Sequence, residues 1–91
     1  MQTTNKYKRH EEICKKLNEV YVQKNRAYGD SFSETYRKLG VISAVTRMTD
    51  KMNRIQNLSV NKNIDKGDES LIDSCLDLAN YAIMTVMEIE K

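Results

Sequence analysis

Two rows of charged residues carry whatever chemistry this sequence can do. Arg47, Lys51 and Arg54 recur at i, i+4 and i+7, which on a helix makes one basic strip. Glu69, Asp73 and Asp77 recur at four-residue steps and are continued by Asn80 and Glu88, a carboxylate strip beside an apolar arc. Stacked carboxylates repel one another by roughly a few tenths of a kcal/mol even when exposed. Such a row therefore asks for a compensating partner, either basic side chains or a divalent cation. Mg2+ is the natural choice of cation, because it takes carboxylates and water and bridges to substrate phosphates. If the basic and acidic strips touch, the result is an interhelical ladder of ion pairs. If a gap separates them, cations for phosphates and carboxylates for a metal line a nucleotide pocket. Asp50 lies on a different side of the helix that carries the basic strip.

The stretch Tyr28-Gly29-Asp30-Ser31-Phe32 is a second candidate. It brings an aromatic ring, a flexible glycine and the free N–H groups of a helix start together, and such N–H groups accept phosphates. Tyr28 or Phe32 could stack on a base. The competing reading is a plain helix–turn–helix connection anchored by an apolar side chain. Tyr81, at the edge of the carboxylate row, is either a hydrogen-bonding contact or an interfacial aromatic. Other constellations are poor. His10 is the sole histidine and sits near the N-terminus, so no Ser/His/Asp or Cys/His relay is supported. There is no glycine-rich phosphate loop and no zinc-ligand spacing.

Helices must position these residues. With 91 residues, three glycines and no proline, the chain lacks the punctuation of a sandwich or barrel. It reads as an all-α single domain, residues 1–91: a compact bundle of three long helices plus a short one. Ile13, Leu17, Val20 and Tyr21 mark a first helix over about 4–24, with Thr3 or Thr4 to cap it. Ser31 and Glu34 form a capping box for a short second helix that ends at Gly40. Val41, Ala44, Val45, Met48, Met52 and Ile55 define a third helix over about 41–58. A polar loop over 59–68 follows, and Asp68 caps a last helix from about Glu69 to Glu90. On that helix Ile72, Cys75, Leu76, Ala79, Ile83 and Val86 share one face, widened by Leu71, Leu78, Ala82 and Ile89. The arc is wider than one neighbour needs, so this helix is either central to the bundle or packed on another subunit. A chain of this size has a thin core, and self-association is a natural way to add buried area. A homo-oligomer is the expectation.

The net charge of +2 averages two unlike parts. Residues 1–66 carry 14 Lys/Arg against 7 Asp/Glu, a balance of +7, while residues 67–91 carry six acids against Lys91, a balance of −5. That split suits internal pairing or a phosphate site with an acidic edge, not a nucleic-acid binder with a basic stripe. No apolar run approaches a membrane span, and the N-terminus lacks the pattern of a secretory signal. Cys14 and Cys75 occupy apolar helical positions without metal-ligand spacing, and are expected to be buried, reduced thiols of a cytoplasmic protein.

Three blocks give the string a resemblance: Lys24-Asn-Arg-Ala-Tyr28-Gly29-Asp-Ser31, Arg47-Met-Thr-Asp50-Lys51-Met-Asn-Arg54, and Glu69-Ser-Leu-Ile-Asp73-Ser-Cys-Leu-Asp77-Leu-Ala-Asn80-Tyr81. Together they resemble the nucleotide modification associated domain 1 family, all-helical proteins common in bacteriophage genomes, over about residues 21–87. The resemblance implies a role in nucleotide metabolism, with a looser likeness to MazG-like nucleotide pyrophosphohydrolases that hold Mg2+ on acidic helices. It makes Asp50, Glu69, Asp73 and Asp77 the candidate metal ligands. Lys24, Tyr28, Ser31, Phe32, Arg47, Lys51, Arg54 and Tyr81 become the candidate ligand-binding residues. The Glu-x-x-Glu pair of MazG-like enzymes is missing, which favours binding without turnover. The leading expectation is a phage-type protein, in the host cytoplasm, that binds or sequesters a phosphorylated nucleotide, with cyclic nucleotides and ADP-ribose-type immune signals among the candidates. The alternatives are a Mg-dependent pyrophosphohydrolase and a structural or interaction protein whose charge rows merely pair.

Overall fold

A computed structural model describes residues 2–60 and 69–91. The chain is all-α, with α1 Gln2–Tyr28, α2 Ser31–Leu39, α3 Val41–Val60 and α4 Glu69–Ile89, and no strand among the described residues. The expected Asp68 cap and residues 61–68 of the expected loop lie outside the described residues. The chain divides into two units, residues 1–30 and 31–91.

The first unit is α1. It is longer than the apolar periodicity predicts at both ends, because nothing between Gln2 and Tyr28 interrupts it. Thr3 and Thr4 consequently lie within the helix and not ahead of it. Gly29, at φ 72°, takes the left-handed conformation that other residues adopt only at a cost of roughly 1–2 kcal/mol, and the helix stops there. Leu17 is buried, Ile13, Val20, Tyr21 and Val22 are half-buried, and Tyr7 and Tyr28 are exposed. Cys14 is a free thiol but exposed, contrary to expectation. Its row on the helix is that of exposed His10, whose Nδ1 lies 3.7 Å from Sγ, and not that of Leu17.

The second unit is a bundle of α2, α3 and α4. α2 and α3 are joined by a single residue, Gly40, at φ 77°. Its N–H donates to the Tyr36 carbonyl at 2.7 Å, the αL closure that satisfies an orphan carbonyl at a helix end. The Ser43 N–H (3.1 Å) and hydroxyl (2.8 Å) both donate back to the Gly40 carbonyl, which starts α3 immediately. α3 runs two residues further than its apolar pattern predicts, to Val60. α3 and α4 form the principal helix pair, and α2 packs mainly on α3 and less on α4.

The face that α4 turns inward is not its apolar face. Ser74, Asn80 and Thr85 are buried, and Leu71, Leu76, Asp77, Leu78, Ala79, Tyr81, Met84 and Glu88 are half-buried, whereas Ile72, Cys75, Ile83 and Val86 are exposed. The same arrangement corrects the expectation for Cys75, which is free and exposed on the outer face. Ser74 and Thr85 tolerate burial because each hydroxyl donates to the carbonyl one turn back, Ser70 and Tyr81, at 2.7 Å. A polar group with its hydrogen bond made costs little to bury. The apolar share of the interior is correspondingly small: in this unit Ala44 and Phe32 are the buried hydrophobic residues among those described.

Candidate functional site

The basic strip of α3 and the inward row of α4 meet along an antiparallel seam. Arg54 Nε donates to Ser74 Oγ at 3.0 Å, Lys51 Nζ lies 3.0 Å from Asp77 Oδ2, and Arg47 reaches the ring of Tyr81. The three pairs advance in opposite directions on the two helices at steps of three and four residues, one helical turn per rung. Ser74 completes its rung by accepting from Arg54 while donating to Ser70. The basic strip is therefore in direct contact with α4 at these rungs and meets the carboxylate strip at one of them, the Lys51–Asp77 pair, the salt-bridge rung expected of a ladder. With side-chain exposures of 27% and 21%, that pair is screened by salt less than a surface pair.

Phe32 closes one end of the seam. It is buried in the first turn of α2, and its ring stacks on Tyr81 with centroids 6.0 Å apart and planes 18° from parallel. The Arg47 guanidinium stands 5.8 Å from the Phe32 centroid and 6.0 Å from that of Tyr81, at the outer limit of a cation–π contact. Arg47 is half-buried, and among the described residues no carboxylate pairs with it. Three cations thus line a seam in which Asp77 engages one of them, Lys51.

Beyond the aromatic pair, Ser33 hydrogen-bonds Glu88 across α2 and α4, and Lys91 Nζ lies 3.1 Å from the other Glu88 oxygen. The Ser33 hydroxyl is the largest influence holding the Glu88 carboxyl below its ordinary value of 4.5; burial opposes it, and Lys91 and the charge of Arg37 assist. A carboxyl with a depressed pKa stabilises the fold above its ordinary value, and the contribution drains away as pH falls through the depressed one. Glu88→Gln is therefore expected to lower the melting temperature more at pH 7 than at a pH below the depressed value, where the wild-type carboxyl is protonated as well. A deficit that stays constant across that range would assign Glu88 no such role.

The other expected site residues are distributed differently. Lys24 and Tyr28 lie on α1, in the first unit, and both are exposed. Ser31 is exposed at the start of α2. Asp50 on α3 and Asp73 on α4 are exposed, while Asp77 is half-buried against Lys51. Glu69 opens α4, and its side chain lies outside the described residues. Among the described residues no three His, Cys, Asp or Glu side chains gather as metal ligands. Asp50, Asp73 and Asp77 thus do not gather around one ion. Ser74 and Ser33 are not marked by the charge rows, although Glu88 continues the carboxylate row; the signal for Ser74 is its place three residues before Asp77, in register with Tyr81.

The family described as nucleotide modification associated domain 1 matches residues 24–89 of the chain. No curated protein matches it, and neither does any solved structure.

Proposed function

We propose that this chain, which belongs to the nucleotide modification associated domain 1 family, binds a small phosphorylated nucleotide without turning it over, with Arg47 and Arg54 on the phosphates. The observation that carries this reading is the half-buried residue Arg47, whose guanidinium stands over the Phe32 and Tyr81 rings and pairs with no carboxylate among the described residues. A cation withdrawn from water favours an anionic partner. Arginine's planar fork suits phosphate oxygens, and its stacking on rings fixes the fork before the ligand arrives. Lys51 is already neutralised by Asp77, so the positive excess of the seam falls on its two arginines. The nucleotide in the family's description agrees with a phosphate as the anion. Ser31 is a secondary contact in this reading, and the protein acts as a phage-type, cytoplasmic homo-oligomer that sequesters its ligand.

The test is calorimetry against a panel of nucleoside mono-, di- and triphosphates, cyclic nucleotides and ADP-ribose-type ligands, with and without Mg2+. Chromatography of the ligand recovered after heat denaturation completes it. Binding with intact recovered ligand supports sequestration. A cleaved ligand replaces the reading with a pyrophosphohydrolase, and a panel without any binding leaves the charge rows as structural pairs.

A further inference from the structure

The exposed face of α4 has an order of its own. Ile72, Cys75, Ala79, Ile83 and Val86 follow one another at steps of three, four, four and three residues, so the spacing reads the same from either end about Ala79. Such steps keep side chains on one strip of a helix, the seam that a partner helix fills. Ile72, Ile83 and Val86 are 44%, 48% and 52% exposed, far from the burial such residues normally reach. The two charged residues between these ends, Asp73 and Asp77, both fall off the strip, Asp77 being turned toward Lys51.

We infer that this strip is the two-fold interface between two copies of the chain, with their α4 helices antiparallel and crossing at Ala79. A two-fold axis requires that residue i meet j while j meets i, and the spacing supplies that match. Ile72 of one copy faces Val86 of the other, Cys75 faces Ile83, and Ala79 faces its own equivalent. Alanine at the crossing lets the axes approach to the short end of the roughly 8–10 Å range of packed helices.

Two further observations identify the occupant as a second copy. Residues 31–91 bury only Phe32 and Ala44 as hydrophobic residues among those described, too little for a unit of this size to stand alone. A second copy of the chain is present wherever the chain folds, and the symmetric spacing about Ala79 matches that occupant. The area also suffices: α4, with 21 residues, is about 30 Å long. The exposed Val41, Val45 and Met52 of neighbouring α3 widen the apolar surface toward the roughly 800 Å² that each side of a stable interface contributes.

The experiment is sedimentation of the full chain with site-directed crosslinking. Wild type is expected to sediment as a dimer or a multiple of one. With Cys14→Ser and Cys75→Ser in place, Ala79→Cys is expected to form a two-chain disulfide under mild oxidation, because the Cα atoms flanking the axis fall within the roughly 4.4–6.8 Å a disulfide spans. Ala79→Arg is expected to raise the dissociation constant at least tenfold. A monomer at every concentration overturns the inference, as does an oligomer whose Ala79→Cys form stays uncrosslinked. The crosslink settles the matter even where the arginine variant fails to fold.

Discussion

Phe32→Ala is expected to cost about 3–5 kcal/mol, the range for emptying a buried aromatic site, and so to abolish cooperative unfolding of residues 31–91. The magnitude follows from how little else fills this interior. Ala44 is fully buried but contributes a single methyl group, and the remaining buried residues of the unit among those described are Ser33, Ser74, Asn80 and Thr85. Phe32 also supports Tyr81 by stacking and the Arg47 guanidinium from below, so its removal leaves a half-buried cation without one of its rings. A unit of this size commands only about 3–5 kcal/mol from its core, so the loss is comparable with the whole. Phe32→Leu keeps most of the volume and is expected to retain the fold while losing both ring contacts. Urea titrations followed by far-ultraviolet circular dichroism separate these outcomes. A loss below about 1 kcal/mol for Phe32→Ala, the size typical of an ordinary substitution, would show that the core lies elsewhere.

The helices were largely legible in the sequence because they depend on local rules. The 31–39 helix and its stop at Gly40 follow from capping residues and a positive φ, and the apolar steps of α3 identify that helix directly. Which face of α4 turns inward was not legible from hydropathy. Periodicity equates polar with outside, yet the cost of burying a polar side chain depends on whether its hydrogen bonds are made. Ser74 and Thr85 make theirs to carbonyls one turn back, and Asp77 meets Lys51. The inward row is consequently polar, and Ile72, Ile83 and Val86 are left on the surface of the chain.

The same geometry divides the acidic row. A four-residue step on a helix of 3.6 residues per turn drifts by roughly 40°. Asp77, on one side of that drift, faces α3, and Asp73 is exposed. Ser74, Asp77 and Tyr81, at steps of three and four, stay on the seam. The basic strip was legible because its own i, i+4, i+7 spacing has little net drift, and all three of its residues reach partners on α4.

Arg47→Ala is expected to weaken nucleotide binding roughly 10–100-fold, the cost of losing a charge-assisted hydrogen bond of about 1.5–3 kcal/mol, with little change in folding. Arg47→Lys should fall between the two, because lysine keeps the charge but lacks the planar fork and stacks poorly on Phe32 and Tyr81. The Lys51 position separates phosphate contact from seam maintenance. Lys51→Ala removes the cation that Asp77 meets in a partly buried setting, so it should lower the melting temperature and also repel an incoming phosphate. Lys51→Ala combined with Asp77→Ala removes that negative charge as well and should recover much of both losses, whereas no second change on α4 can restore Arg47→Ala. Isothermal titration with the tightest ligand of the nucleotide panel, paired with melting curves for each variant, reads the two effects independently. If nucleotide binds and Arg47→Ala binds it as tightly as wild type, the phosphates rest elsewhere on the protein. The cation beside the two rings would then serve only to hold α2 against the α3–α4 pair.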